Sequence, residues 1–129
     1  MAIIGTGVDL VTIARLRAAL DNPRTGERFR AHVFTAAEQA YCDDRGRGRY
    51  ESYAARFAAK EAAMKALGCG WGRDAGWLDI EVGGAHGGAP EIVLTGRAAD
   101  YARSIGITRL HLALTHTADL AMAQVIAER

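Results

Sequence analysis

The chain has 129 residues, half of them hydrophobic, which suits one domain (residues 1–129) with a real core. Its 16 Lys and Arg against 15 Asp and Glu leave a net charge of +1, so it has no general polyanion affinity and nucleic acid is not expected as a partner. Nothing approaches transmembrane length, and the N-terminal apolar run is short, lacks a basic leader and contains Asp9, so a cytoplasmic protein without membrane contact is expected. Cys42 and Cys69 are far apart and lack zinc-ligand spacing.

Residues 2–11 read as a strand, bent at Gly5-Thr6-Gly7, where the glycines predict close backbone approach or a bulge. Thr12 is a candidate N-cap for a helix from about Ile13 to Leu20, with Ile13, Leu16 and Leu20 as its apolar stripe. A short helical piece from Thr25 to His32 is anchored by Phe29. Thr35-Ala36-Ala37-Glu38 is a capping-box pattern that starts a helix through about Cys42. The charged, glycine-containing stretch from Asp43 to Arg49 reads as a loop. A long alanine-rich helix then runs from about Tyr50 to Leu67 and stops at Gly68. After an irregular connection that contains Trp71, Trp77 to Val82 alternates as a strand. The turn from Gly83 to Pro90 and the strand from Glu91 to Leu94 make it a hairpin. A helix from Thr95 to Ser104, a strand from Arg109 to Thr115, a polar turn and an apolar strand from Leu120 to Ala127 complete the chain. This order predicts an α+β fold with an antiparallel sheet packed against the long helix.

Two carboxylates are out of place in this pattern. Asp9 interrupts an apolar strand. At ~100° per residue, Glu61 shares a helix face with Phe57, Met64 and Gly68, with Lys60 and Lys65 on its flanks. Two embedded carboxylates could share a hard cation such as magnesium, which takes one or two protein carboxylates and leaves other positions to water and phosphate. Taken singly, Asp9 also reads as a strand-end carboxylate that accepts backbone hydrogen bonds, and Glu61 as a helix-turn partner of Lys65. Spacing alone does not bring the two together.

His116 lies in a polar turn between apolar strands, where it either faces a ligand or bonds local backbone. His111 reads as structural, His86 as exposed, and His32 as part of a basic face. Arg15, Arg17, Arg24, Arg28 and Arg30 fall in one short segment, and Arg45, Arg47 and Arg49 form a second basic run, either of which could steer an acidic partner or phosphate. Neither Ser52 nor Ser104 lies in a nucleophile motif, so any nucleophile belongs to the substrate.

Several blocks then fall into a known order: Gly5 to Leu10 followed by Arg15, Phe34-Thr35 with Glu38, Arg56-Phe57-Ala58-Ala59-Lys60-Glu61-Ala62 with Lys65 to Gly68, and Leu114-Thr115-His116-Thr117. Over nearly its whole length the chain resembles the holo-acyl carrier protein synthase family, the short bacterial class of 4′-phosphopantetheinyl transferases. The resemblance implies a homotrimer with active sites at subunit interfaces. It implies transfer of phosphopantetheine from coenzyme A to a serine of apo acyl carrier protein, with release of adenosine 3′,5′-bisphosphate. Asp9 and Glu61 match its magnesium ligands, and Lys65 and His116 join them as expected catalytic residues. Lys60, Lys65, Arg56, Gly88, Pro90, His116 and Thr117 are expected to bind coenzyme A, with Arg45, Arg47 and Arg49 near its 3′-phosphate. Arg15, Arg28 and Phe29 match the surface that docks the acidic carrier. The serine proton is expected to pass to a water on magnesium, with Glu61 through a water and His116 as other candidates. The chain departs from the family at His32, Ala89 and Ala113, where arginine, lysine and serine are common. The alternative is a non-catalytic module of the same fold that binds coenzyme A or the carrier.

Overall fold

The first apolar run forms strand β1 (Ile3–Thr12) and the stripe after it forms helix α1 (Ile13–Asp21) in the computed structural model, which describes residues 1–70, 72, 74–84 and 88–129. Ile13, Leu16 and Leu20 are the buried stripe of α1, as expected, but the Thr12 side chain makes no capping bond. Helices α2 (Gly26–Val33) and α3 (Ala36–Asp43) follow. The capping box forms in full: the Glu38 N–H donates to Thr35 Oγ1 at 3.2 Å, and the Thr35 N–H donates to Glu38 Oε1 at 2.8 Å. The basic stretch narrows to a 3-10 turn at Gly46–Gly48, which feeds helix α4 (Arg49–Leu67). Gly68 ends α4 at φ 71°, a left-handed conformation that favours glycine.

Trp77–Asp79, expected as the start of a strand, is a 3-10 turn instead. The Asp79 carboxylate accepts the Gly76 N–H at 2.9 Å and curls the backbone before a strand can begin. Strands β2 (Ile80–Gly84) and β3 (Pro90–Leu94) then pair as the expected antiparallel hairpin. Trp71, His86 and the middle of the hairpin turn lie outside the described residues. Helix α5 (Gly96–Ser104) leads to β4 (Arg109–His116) and β5 (Leu120–Glu128). Strands β1, β5 and β4 form an antiparallel three-stranded sheet in that order, and β2 with β3 forms a separate pair. The fold is α+β, as the element order predicts.

Helix α4 is the centre of the molecule, with buried side chains continuously from Tyr53 to Lys60. It packs on β1 and β5 through very small groups. Ala121, Ala123, Val125 and Ala127 of β5 are fully buried. On β1 the close approach is made by glycine: a Cβ on Gly5 would fall 1.9 Å from the Ala66 carbonyl oxygen, and one on Gly7 would fall 1.9 Å from that of Ala62. The glycines of the first strand therefore let the backbone touch the helix, one of the two meanings expected of them.

A Gly7→Ala substitution must push β1 off α4, because backbone carbonyls cannot rotate aside. We expect it to cost more than about 3 kcal/mol, above the usual range for overpacking. Chemical denaturation would measure this, and a midpoint like that of the parent chain would refute the close-packing argument.

Candidate functional site

Asp9 lies on the inner face of β1, in the row that continues from Gly5 and Gly7, and pairs in register with Ala123 of β5. That row faces α4. Across the contact, Lys65 Nζ donates to the Val8 carbonyl at 2.9 Å and meets Asp9 Oδ1 at 3.2 Å. The Asp9 side chain is 17% exposed and that of Lys65 54%, so the ion pair opens to solvent on the lysine side. Glu61 stands one helical turn before Lys65 and is half-buried within an otherwise buried stretch of α4. The fold thus sets both carboxylates and the lysine along one strand–helix contact. Lys65, one turn after Glu61, pairs with Asp9 across this contact.

Lys60 is placed otherwise than expected. Its side chain and that of Glu38 are both 0% exposed, and they meet at 2.8 Å. The ammonium also donates to the carbonyls of Trp77 at 3.0 Å and Ile80 at 2.5 Å. The second Glu38 oxygen accepts the Val82 N–H at 2.8 Å. Burial pushes the Lys60 ammonium below the usual lysine range, against the raising effect of Glu38. Three acceptors enclose Lys60 in the core, where, contrary to the expected contact with coenzyme A, it is a strut that ties α3, α4 and β2 together.

A second group of residues gathers around a cleft of about 540 Å³ between the start of α4 and the end of β4. Arg45, Arg47, Tyr41, Ser52, Glu51 and His116 are on its walls, and Asp9, Glu61 and Lys65 are not. Glu61 lies nine residues beyond Ser52 on α4, roughly 14 Å along the axis at 1.5 Å per residue. Within one chain the expected site is therefore in two parts. His116 is the last residue of β4, with Nδ1 3.4 Å from the Thr117 carbonyl, and is exposed. Thr117 Oγ1 accepts the N–H groups of Asp119 and Leu120 at 3.2 and 3.0 Å, which fixes the turn.

Arg56 is buried behind the cleft; its guanidinium lies 4.1 Å from the Tyr41 ring centroid, and Nη1 donates to Ser52 Oγ at 3.1 Å. Among the described residues its Nε and the Oε2 of Glu51 are buried with no hydrogen-bond partner. One orphan donor and one orphan acceptor beside a cationic cleft suit a ligand of mixed polarity. Gly88 and Pro90 lie elsewhere, at the head of β3, where Pro90 faces β4 across a groove.

Arg49, expected with the other basic residues, turns away from the cleft to Asp43. Asp43 Oδ1 accepts the Tyr53 hydroxyl at 2.7 Å and Arg49 Nε at 3.0 Å, and Oδ2 accepts Arg30 Nη1 at 2.8 Å. Burial alone would raise the Asp43 carboxyl, but these three donors outweigh it and hold it below the ordinary carboxylate range. Tyr41, Glu51, Ser52 and Asp43 were not singled out from sequence. Only the placement of Ser52 one turn before Arg56 was a usable signal.

Arg15 is exposed on α1 and Arg28 on α2. Phe29, next to Arg28, is half-buried with its ring centroid 6.2 Å from that of Phe57, which in turn stacks on Trp77 at 5.2 Å. Phe57 is one turn before Glu61, so the basic face of α2 adjoins the carboxylate end of the site.

Two hard carboxylates beside a lysine, and a separate cleft walled by two arginines and a histidine, are side-chain sets whose chemistry suits a phosphate-bearing ligand. A family model, the 4′-phosphopantetheinyl transferase superfamily, matches residues 5–123. A holo-[acyl-carrier-protein] synthase from Anaeromyxobacter dehalogenans is 53% identical over 127 residues, covering 98% of this chain and 96% of that protein. The crystal structure of the same synthase from Neisseria meningitidis superposes with a TM-score of 0.86 at 29% identity, over 99% of this chain and 100% of that one. The Helicobacter pylori synthase in complex with coenzyme A gives a TM-score of 0.82 at 30% identity, over 95% and 99% of the two chains. The chain belongs to the 4′-phosphopantetheinyl transferase superfamily and groups there with the holo-[acyl-carrier-protein] synthases.

Proposed function

We propose that residues 1–129 act as a single transferase domain that moves 4′-phosphopantetheine from coenzyme A to a serine hydroxyl of apo acyl carrier protein. The serine oxygen attacks the phosphorus that bears the pantetheine arm, and the pyrophosphate bond to the nucleotide breaks. Adenosine 3′,5′-bisphosphate leaves with the bridging oxygen, and the serine proton passes to water. The observation that carries this reading is the meeting of Asp9 and Lys65 across the β1–α4 contact, one turn from Glu61. The relatives' activity and the coenzyme A complex of one of them support it.

The donor set suits magnesium. Asp9 and Glu61 offer hard oxygens, and magnesium takes one or two protein carboxylates and leaves its other positions to water and phosphate. When bound, magnesium supplies neutralisation of the charge that builds on the leaving pyrophosphate oxygen. Lys65 orients Asp9 through their 3.2 Å contact and presents its exposed side to a phosphate oxygen. Arg56, His116 and Thr117, with Arg45 and Arg47 toward the 3′-phosphate, hold the nucleotide end, and Gly88 and Pro90 flank the coenzyme from the hairpin. Arg15, Arg28 and Phe29 dock the acidic helical surface of the carrier.

A site divided between two regions of one chain becomes whole where one copy's Asp9 end meets another's cleft, and the family resemblance makes that assembly a homotrimer. Val8 and Leu10 of β1 and Met122 of β5, exposed on the outer face of the three-stranded sheet, supply apolar surface for that assembly. No described helix is long and apolar enough to cross a membrane.

Mass spectrometry of apo carrier protein incubated with this protein and coenzyme A tests the reading directly. A phosphopantetheine mass gain that requires magnesium and is lost with a chelator is expected, from a protein whose light-scattering mass is three chains. No gain on any of several carriers, with coenzyme A still bound, would leave a binding module; a monomer mass would remove the shared site.

A further inference from the structure

We propose that Asp43 is a positioning residue for recognition of the coenzyme's 3′-phosphate, because it clamps shut the turn that carries Arg45 and Arg47. This rests on the reading that the cleft takes that phosphate. Asp43 is the last residue of α3 and Arg49 the first of α4, so the two bracket residues 44–48. Their contact at 3.0 Å closes the base of the turn. The same carboxylate is gripped by Arg30 from α2 and Tyr53 from one turn further along α4. Side chains from α2 and α4 therefore converge on one α3 carboxylate at the neck of the turn.

The turn itself has little else to hold it. Arg45 N–H donates to the Cys42 carbonyl at 3.1 Å and Gly48 N–H to the Arg45 carbonyl at 3.0 Å. Gly46 and Gly48 bring no side chains, and Arg45 and Arg47 are exposed along the cleft. Arg45 leans on the Tyr41 ring, four residues before it, at 5.4 Å. Without the Asp43 clamp the turn gains conformations, and two arginines that must meet one phosphate lose their registration. The contact is charge-assisted and partly shielded, so the effect should be measurable.

The test compares coenzyme A with the coenzyme that lacks its 3′-phosphate, using the intact protein and a cognate carrier. Asp43→Asn is expected to raise KM for coenzyme A by roughly ten-fold, the scale of a lost charge-assisted hydrogen bond, with kcat nearly unchanged. KM for the dephosphorylated coenzyme should not move. Tyr53→Phe removes one arm of the clamp and should show the same selectivity at smaller size, which keeps the test open if Asp43→Asn folds poorly. General loosening of the fold would raise both KM values together, and that result, or no change in either, overturns the proposal. An Arg45→Ala/Arg47→Ala double variant is the reference. If it fails to discriminate the two coenzymes, the phosphate assignment of the cleft falls and the clamp with it. If it discriminates and Asp43→Asn does not, only the clamp falls.

Discussion

Replacing Glu61 by glutamine should reduce carrier modification by about a hundred-fold or more while the unfolding midpoint stays close to that of the parent. Lewis-acid stabilisation of a leaving phosphate is worth several kcal/mol, and each ~1.4 kcal/mol is a factor of ten in rate. Glutamine keeps the size and helix propensity of glutamate but not its charge. The position is half-buried, and glutamine fills the same volume there. Asp9→Asn should behave alike in turnover, with an added loss of the Lys65 contact. Initial rates over a magnesium series, with a parallel melt, decide the matter. Turnover within a few-fold of the parent would remove Glu61 from the metal site.

Lys60, the preceding residue, should fail in the opposite way. Lys60→Ala leaves the Glu38 carboxylate in the core with its cation gone and takes the ammonium from the Trp77 and Ile80 carbonyls, of which Trp77 keeps the Ile80 N–H. Breaking a buried pair from one side costs about 3–5 kcal/mol, a large share of the 5–15 kcal/mol that holds a domain of this size. Urea denaturation should show that loss. The Lys60→Met/Glu38→Leu double variant should recover part of it, because no buried charge is then stranded. A stable Lys60→Ala protein with a raised KM for coenzyme A would instead restore the lysine to the ligand.

This contrast marks where the sequence could be read and where it could not. The capping box at Thr35 and Glu38, the stop at Gly68 and the β2–β3 hairpin are local, so their signals sit within a few residues of one another. Glu38 was legible as a cap, but its second role, as Lys60's buried partner, needs two segments that only the fold brings together. A lysine set among alanines of a helix that the sheet encloses was the available clue. Asp79 misled in another way: its side chain captures a nearby N–H and overrides strand alternation. Asp9 and Glu61 were legible as misplaced carboxylates, but the strand–helix contact they share depends on the backbone approach at Gly5 and Gly7. Tyr41 and Asp43 carry no local signature, because their roles come from packing across α2, α3 and α4.

The join between α4 and the sheet is built largely from glycine backbone and alanine methyl groups, with Val11 and Val125 as its larger members. Glycine and alanine have no rotamers to freeze on folding, so the join forms at little side-chain entropy cost and retains little side-chain motion afterwards. Alternative packings that a leucine or methionine seam would sample are absent there. The backbone positions of Asp9 and Glu61 are consequently set by that close contact of main chains. Adaptation to an arriving ligand is left to the long side chains at the rim, Lys65, Arg45 and Arg47, which can reorganise without disturbing the hinge-free centre.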